Sequence, residues 1–226
     1  MASMRLTSMN PFASAALAVA SLLAVAAPFS LPAQTAVGGQ ATRFRDTSML
    51  KLPAGDKVAI FDFEDLECPA CAHAFPITHG ALAKYKIPLI RHDFIIPSHT
   101  WSRQAAITAR YLQDKVSPEV AEQYRKDVFA NQISIAGPED WQNYTHSWFT
   151  LHKIPQPFEI DPTGRFALEV QADCNLGDRL GVAETPTIIV LAPHGWIQVK
   201  NADYLYSAID EALAESPSKP AAHKTH

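Results

Sequence analysis

Two cysteines separated by two residues, Cys68-Pro69-Ala70-Cys71, are the most chemically loaded feature of the chain. A thiol reacts as its thiolate, and a cysteine at the start of a helix is favoured in that form by unpaired backbone N–H groups and the helix dipole. Pro69 has the fixed φ suited to a first helical turn, and Cys71, Phe75, Thr78, Leu82 and Tyr85 follow at helical spacing. Cys68 thus takes the helix start and Cys71 the shielded place one turn in, which suits an attacking and a resolving thiol. A two-residue spacer closes too short a loop to staple a fold, so reactivity is the better reason for the pair. A zinc site wants four ligands and would have to recruit Cys174 and scattered histidines. Covalent haem needs a His directly after the second cysteine, where Ala72 stands.

Four acids lie close by. Asp62 falls inside an apolar run, an expensive place for a carboxylate unless it works or is paired. It is expected either to exchange a proton with the resolving thiol or to reach water at a strand end. Glu64, Asp65 and Glu67 read as a solvated rim whose field opposes a Cys68 thiolate, against the helix start that favours it. Cys174 sits at helical spacing from Ala167, Val170 and Gly181, which makes it a buried inert thiol or, as the odd cysteine, a regulatory or intermolecular one.

The elements that position these groups follow from periodicity. Residues 57–63 form a buried strand leading into the cysteine-bearing helix, and 88–96 form a second strand, which makes a β–α–β unit. A short apolar stretch at 49–52 is a candidate edge strand. Three helices then start at Ser102, at Ser117-Pro118-Glu119 and at Gly137-Pro138-Glu139-Asp140, the last two with a cap residue before Pro and acids in the first turn. Trp141, Tyr144, Trp148 and Leu151 make a core-facing stripe on the third. A helix over 165–180, a hairpin opening after Thr185-Pro186-Thr187 with its turn at His194-Gly195, and a last helix over about 203–214 complete the chain.

A length of 226 residues, 47% of them hydrophobic, suits one domain, or one domain with an insertion. Net charge is −4 without a long basic run, which removes the electrostatic footprint of a nucleic-acid binder. Arg5, an uncharged Ala/Leu/Val-rich run over 11–28 and small residues after it have the order of a secretory leader, residues 1–36, cleaved between 26 and 36. The apolar core is shorter than the roughly 20 residues a spanning helix wants, which favours cleavage over the alternative of an N-terminal membrane anchor. The expected location is periplasmic or extracellular. Residues 216–226 are Pro-, Ser-, Lys- and His-rich and are expected to be a disordered tail.

The residues around the pair resemble the thioredoxin superfamily, and more closely its DsbA-like branch. That family has a buried acid six residues before the first cysteine, as Asp62 is here, and a helix-kinking proline eight residues after it, as Pro76 is. Thr185-Pro186-Thr187 is similar to its cis-proline loop, and 100–154 to the helical insertion of the branch. Phe94-Ile95-Ile96-Pro97-Ser98-His99, before an Ala-rich helix, is also similar. The resemblance spans about 56–215. It implies an α/β thioredoxin fold, a central mixed sheet flanked by helices, filling residues 37–215 with a helical subdomain inserted at about 100–154. It also implies a catalytic set of Cys68, Cys71 and Asp62, with Thr185 and Pro186 holding an extended substrate backbone and keeping metals off the pair. No cofactor or metal is implied beyond the Cys68–Cys71 disulfide itself. The expected activity is oxidation of cysteine pairs in exported polypeptides. The expected partners are those polypeptides and a membrane redox protein, either a quinone-linked oxidase or a thiol reductant. The alternatives are a reductase or isomerase using the same site, or a thioredoxin-fold chaperone or metallochaperone. The spacer Pro69-Ala70 departs from the polar or aromatic second residue of the strong oxidants in the branch, and Glu184 stands where a small residue is more usual.

Overall fold

The computed structural model describes residues 34–37, 48–193 and 195–216. Most of the expected leader and residues 217–226 of the expected tail lie outside them. Five strands make one mixed sheet: β1 (Gln34–Val37), β2 (Ala59–Glu64), β3 (Leu89–Asp93), β4 (Thr187–Ala192) and β5 (Gly195–Val199), in the order β1-β5-β4-β2-β3. β2 runs parallel to β3 and antiparallel to β4, while β5 pairs antiparallel with β4 and parallel with β1.

β2 is buried along its whole length, as a central strand covered on both faces must be. Side chains alternate between those faces. Ala59, Phe61 and Phe63 pack with Ile189, Leu180 and Trp196, on the side of the helix α5 (Arg165–Leu180). Ile60 packs with Ala74 and Ala81 of α1 (Pro69–Tyr85) and with Leu205 and Ile209 of the last helix, α6 (Leu205–Ala214). The same alternation puts Asp62 and Glu64 on the face of β2 that α1 covers. On the other face, a β-carbon at Gly177 of α5 would collide with the Phe94 ring, so a glycine is what lets this helix lie against the end of β3.

Between β3 and α5 lie α2 (Ser102–Lys115), α3 (Pro118–Asn131) and α4 (Pro138–Leu151). The Ser117 hydroxyl accepts the Val120 N–H at 3.3 Å and caps α3. Their core of Trp101, Leu112, Tyr124, Trp148 and Phe149 is continuous with Leu66, Cys68, Cys71 and Phe75, so the cysteine pair lies where the insertion closes on the sheet domain.

Two expectations fail here. Residues 49–52 form no strand: Leu50 is buried as a single anchor, and Pro53, which has no N–H for a ladder, opens a turn through its carbonyl to Asp56 N. The sheet edge beside β5 belongs to β1. In α4, Leu151 is 77% exposed and Phe149 is 1% exposed, because ten residues on from Trp141 the helical period has carried the side chain off the buried face.

The insertion is tied to the sheet by buried charge as well as apolar packing. Arg125 of α3, 2% exposed, reaches Asp93 Oδ1 at 2.7 Å and Glu64 Oε1 at 3.0 Å. Arg110 of α2 pairs with Asp93 at 2.7 Å and with Asp173 of α5, and Arg91 pairs with Glu64 at 2.8 Å and Glu122 at 2.7 Å. Burial pushes the Asp93 carboxyl up, but Arg125 and Arg110 outweigh it and hold it well below the usual carboxylate range.

Candidate active site

Cys68 is the residue before α1, with extended backbone (φ −82°, ψ 119°), and Pro69 is the first helical residue. The Cys68 carbonyl accepts the N–H groups of Cys71 and Ala72 at 3.1 Å, which seats its thiol at the helix start. Its Sγ lies 3.2 Å from the Thr185 carbonyl oxygen, and the Thr185-Pro186 peptide bond is cis. The Thr185 hydroxyl is buried without a protein hydrogen-bond partner, which leaves it free to donate to sulfur. Both thiols are unbonded. A hydrogen bond from the Cys71 thiol is the largest influence on Cys68. It outweighs burial and, with the Thr185 side chain and the N–H groups of Cys71 and Ala70, lowers the Cys68 pKa to about 5. Cys71 moves the opposite way. Burial, then the Cys68 sulfur, then Asp62 push its thiol far above the ordinary range, and only the Asp65 N–H, 3.4 Å from Sγ, opposes them.

Asp62 does not reach water. It is buried, its Oδ1 has no partner, and burial first, then Glu64, raise its pKa well above that of an ordinary aspartate against the pull of Arg91 and Arg125. The carboxyl lies near enough to Cys71 for its charge to raise the pKa of that thiol. Of the residues expected to act together, Cys68, Cys71 and Thr185 are in direct contact, Pro186 is joined to them by the cis bond, and Asp62 stands behind Cys71.

The solvated rim is a correction. Glu64 is buried and paired with two arginines. Asp65 is buried, accepting the N–H groups of Glu67 and Ile96 at 2.8 Å and facing His99 Nδ1 at 2.9 Å. Glu67 accepts the N–H groups of Trp101 and Ser102 at 2.8 and 3.1 Å and so satisfies the start of α2. These charges are compensated by partners that the sequence places far away, and they do not form an open negative field over Cys68.

Gln132, just after α3, is a positioning residue that the sequence did not reveal. Its amide donates to the carbonyls of Leu66 at 2.7 Å and Cys68 at 3.1 Å, fixing the loop that presents the thiol. A lone glutamine past a helix end carries no pattern that would mark it. Cys174 is buried, its sulfur 3.5 Å from the Ile95 N–H and the Asp93 carbonyl, and burial raises its pKa.

A low-pKa cysteine at a helix start, a buried partner one turn on and a cis X-Pro loop across from them, all on a mixed sheet, define a thiol–disulfide oxidoreductase. A family model described as thioredoxin matches residues 55–210, and the chain belongs to that family. Solved structures add the DsbA-like architecture. Wolbachia pipientis α-DsbA1 is similar with a TM-score of 0.60 at 14% identity, over 73% of this chain and 90% of that one. Pseudomonas aeruginosa DsbA2 gives 0.56 at 16% identity over 74% and 94%. Proteus mirabilis ScsC in a transitional conformation gives 0.56 at 16% identity over 73% and 71%. No curated protein matches.

Proposed function

We propose that this chain oxidises cysteine pairs in exported polypeptides through Cys68 and Cys71. With the pair as a disulfide, a substrate thiolate attacks Cys68 Sγ, the S–S bond breaks, and its electrons pass to Cys71, which takes up a proton. A second substrate thiolate attacks its neighbour in the mixed disulfide and releases Cys68 as thiolate. Two electrons have moved from substrate to enzyme, and the substrate holds the new disulfide. The observation that carries this reading is the Cys68 environment: a thiolate stabilised to a pKa of about 5 is a good leaving group and stabilises the reduced enzyme, the condition for an oxidising couple. Asp62 supplies and recovers the proton at Cys71, whose high pKa makes it a poor leaving group unless protonated. Thr185 and Pro186 hold the substrate backbone against the pair.

Export through the N-terminal leader, followed by re-oxidation by a quinone-linked membrane protein, completes the proposal. Cleavage at or before Ala33 would leave β1 intact, since that strand starts at Gln34. The test is the reduction potential of the couple in glutathione buffers, with Cys174→Ala as control. A value near about −120 mV supports a disulfide donor, and one near about −270 mV assigns a reductase instead.

A further inference from the structure

Two turns meet behind the cysteine pair. In the first, between β2 and α1, the Asp65 carbonyl accepts the Cys68 N–H at 3.0 Å. In the second, after β3, the Ile96 carbonyl accepts the His99 N–H at 2.9 Å, with Pro97 at the position where a fixed φ suits a turn. The Asp65 carboxylate joins them, accepting the Glu67 N–H of its own turn and the Ile96 N–H of the other, both at 2.8 Å. His99 closes the arrangement with Nδ1 2.9 Å from Asp65 Oδ2, the aspartate side chain fully buried and the ring 21% exposed. Nδ1 must carry a proton there, since a bare ring nitrogen would set its lone pair against the carboxylate. It is sealed from water and makes no aligned hydrogen bond, so its hold on Oδ2 is electrostatic. A buried N–H in that state is costly and calls for a functional reason.

The reason lies on the main chain of the same aspartate. The Asp65 N–H faces Cys71 Sγ at 3.4 Å, a hydrogen-bond distance for sulfur, and favours negative charge there against burial, Cys68 and Asp62. We infer that His99 is a positioning residue for thiol exchange: by holding the buried Asp65 carboxylate it keeps the Asp65 N–H aimed at Cys71 Sγ, where charge gathers as the disulfide opens. The inference rests on the thiol-exchange reading above. In that step the attacking thiolate bonds to Cys68 Sγ, the Cys68–Cys71 bond breaks, and its electron pair goes to Cys71 Sγ, which then takes up a proton. A donor already fixed beside the sulfur stabilises that charge without reorganising. The reverse step, in which Cys71 attacks a mixed disulfide at Cys68, passes through the same transition state and gains equally. With donors from both turns and the ring around its carboxylate, Asp65 has no freedom to tilt the peptide that carries this N–H.

The experiment follows reduced glutathione attacking the oxidised protein by stopped flow, in the wild type and in His99→Asn and His99→Gln. Asn carries its amide nitrogen on Cγ, where Nδ1 sits, whereas Gln carries it one carbon further out, where Nε2 sits. His99→Asn is expected to keep the wild-type rate within about twofold and His99→Gln to lose about tenfold, the order of a weakened hydrogen bond to a charged sulfur. Should the Gln variant not fold, His99→Ala replaces it with the same expected loss. Alkylation of Cys68 by iodoacetamide in the reduced protein makes and breaks no bond at Cys71, and its rate is expected to stay at the wild-type value in each variant. Equal exchange rates in the Asn variant and in the Gln or Ala variant would overturn the assignment. So would a loss of Cys68 alkylation as large as the loss of exchange, since the ring would then only brace the loop. A wild type that does not react with glutathione would instead overturn the exchange reading beneath it.

Discussion

Cys68 and Cys71 carry the same side chain two residues apart, and the fold drives their acidities in opposite directions. Cys68 sits at a helix start facing donors, while Cys71 sits in an apolar core beside the Cys68 sulfur and Asp62. Alkylation of the reduced protein by iodoacetamide should modify Cys68 alone at pH 7, with a rate that titrates near pH 5 and is read by mass spectrometry. A midpoint near the free-thiol value of about 8.5 would contradict this. Asp62 makes a prediction of opposite sign. Its folded pKa is raised above the unfolded value of about 3.9, so as pH climbs past that value the unfolded chain releases a proton that the folded chain keeps, and stability falls. Asp62→Ala should therefore be stabilising at pH 7 by about 1–3 kcal/mol, with the gain vanishing near about pH 3 in urea titrations. The same variant should slow the steps that protonate or deprotonate Cys71 by about a hundredfold in stopped-flow measurements.

At the scale of elements, helix starts and strand runs were legible because each carries a local rule. Ser117 before Pro118 stops and starts the chain, the apolar run at 57–63 has no surface face, and the spacing after Cys68 is helical. The site acids escape such local rules, since three acids within four residues look solvated when only neighbours are seen, yet Glu64 and Asp65 are buried. Their long-range partners lie 27 to 61 residues away, at Arg91, Ile96, Trp101 and Arg125. Arg125→Met should leave Glu64 and Asp93 short of a buried partner and destabilise the protein by about 3–5 kcal/mol in denaturant unfolding. Glu122, held down to about 2 by His79 and Arg91 against its burial, and Asp93, held well below the usual carboxylate range by Arg125 and Arg110 against its own, contribute stability that is present above their unfolded pKa values of about 4. That contribution should drain away as pH falls from there toward about 2, and the loss in Arg125→Met should be correspondingly smaller in acid.

For the whole molecule, the thiolate links redox state to stability. Closing the disulfide removes the stabilised Cys68 thiolate from the folded state, so the reduced protein should melt at a higher temperature than the oxidised one at pH 7. The gap should narrow as pH falls through about 5, where the thiolate is protonated. Equal melting temperatures, or an oxidised form that is the more stable, would make the pair a structural staple. Calorimetry on both forms decides.

The buried arginine of α3 and the glutamine that follows it have a further consequence, which concerns how separable the parts of this protein are. In the sequence the helices between β3 and α5 look like a cassette slipped into a smaller ancestor. Energetically they are not detachable. Arg125 neutralises carboxylates at the ends of two strands, and Gln132 holds the very loop that presents the reactive sulfur. A chain trimmed of the helices would be left with stranded anions and an unanchored thiol. The two parts are one machine whose boundary exists only in the order of residues.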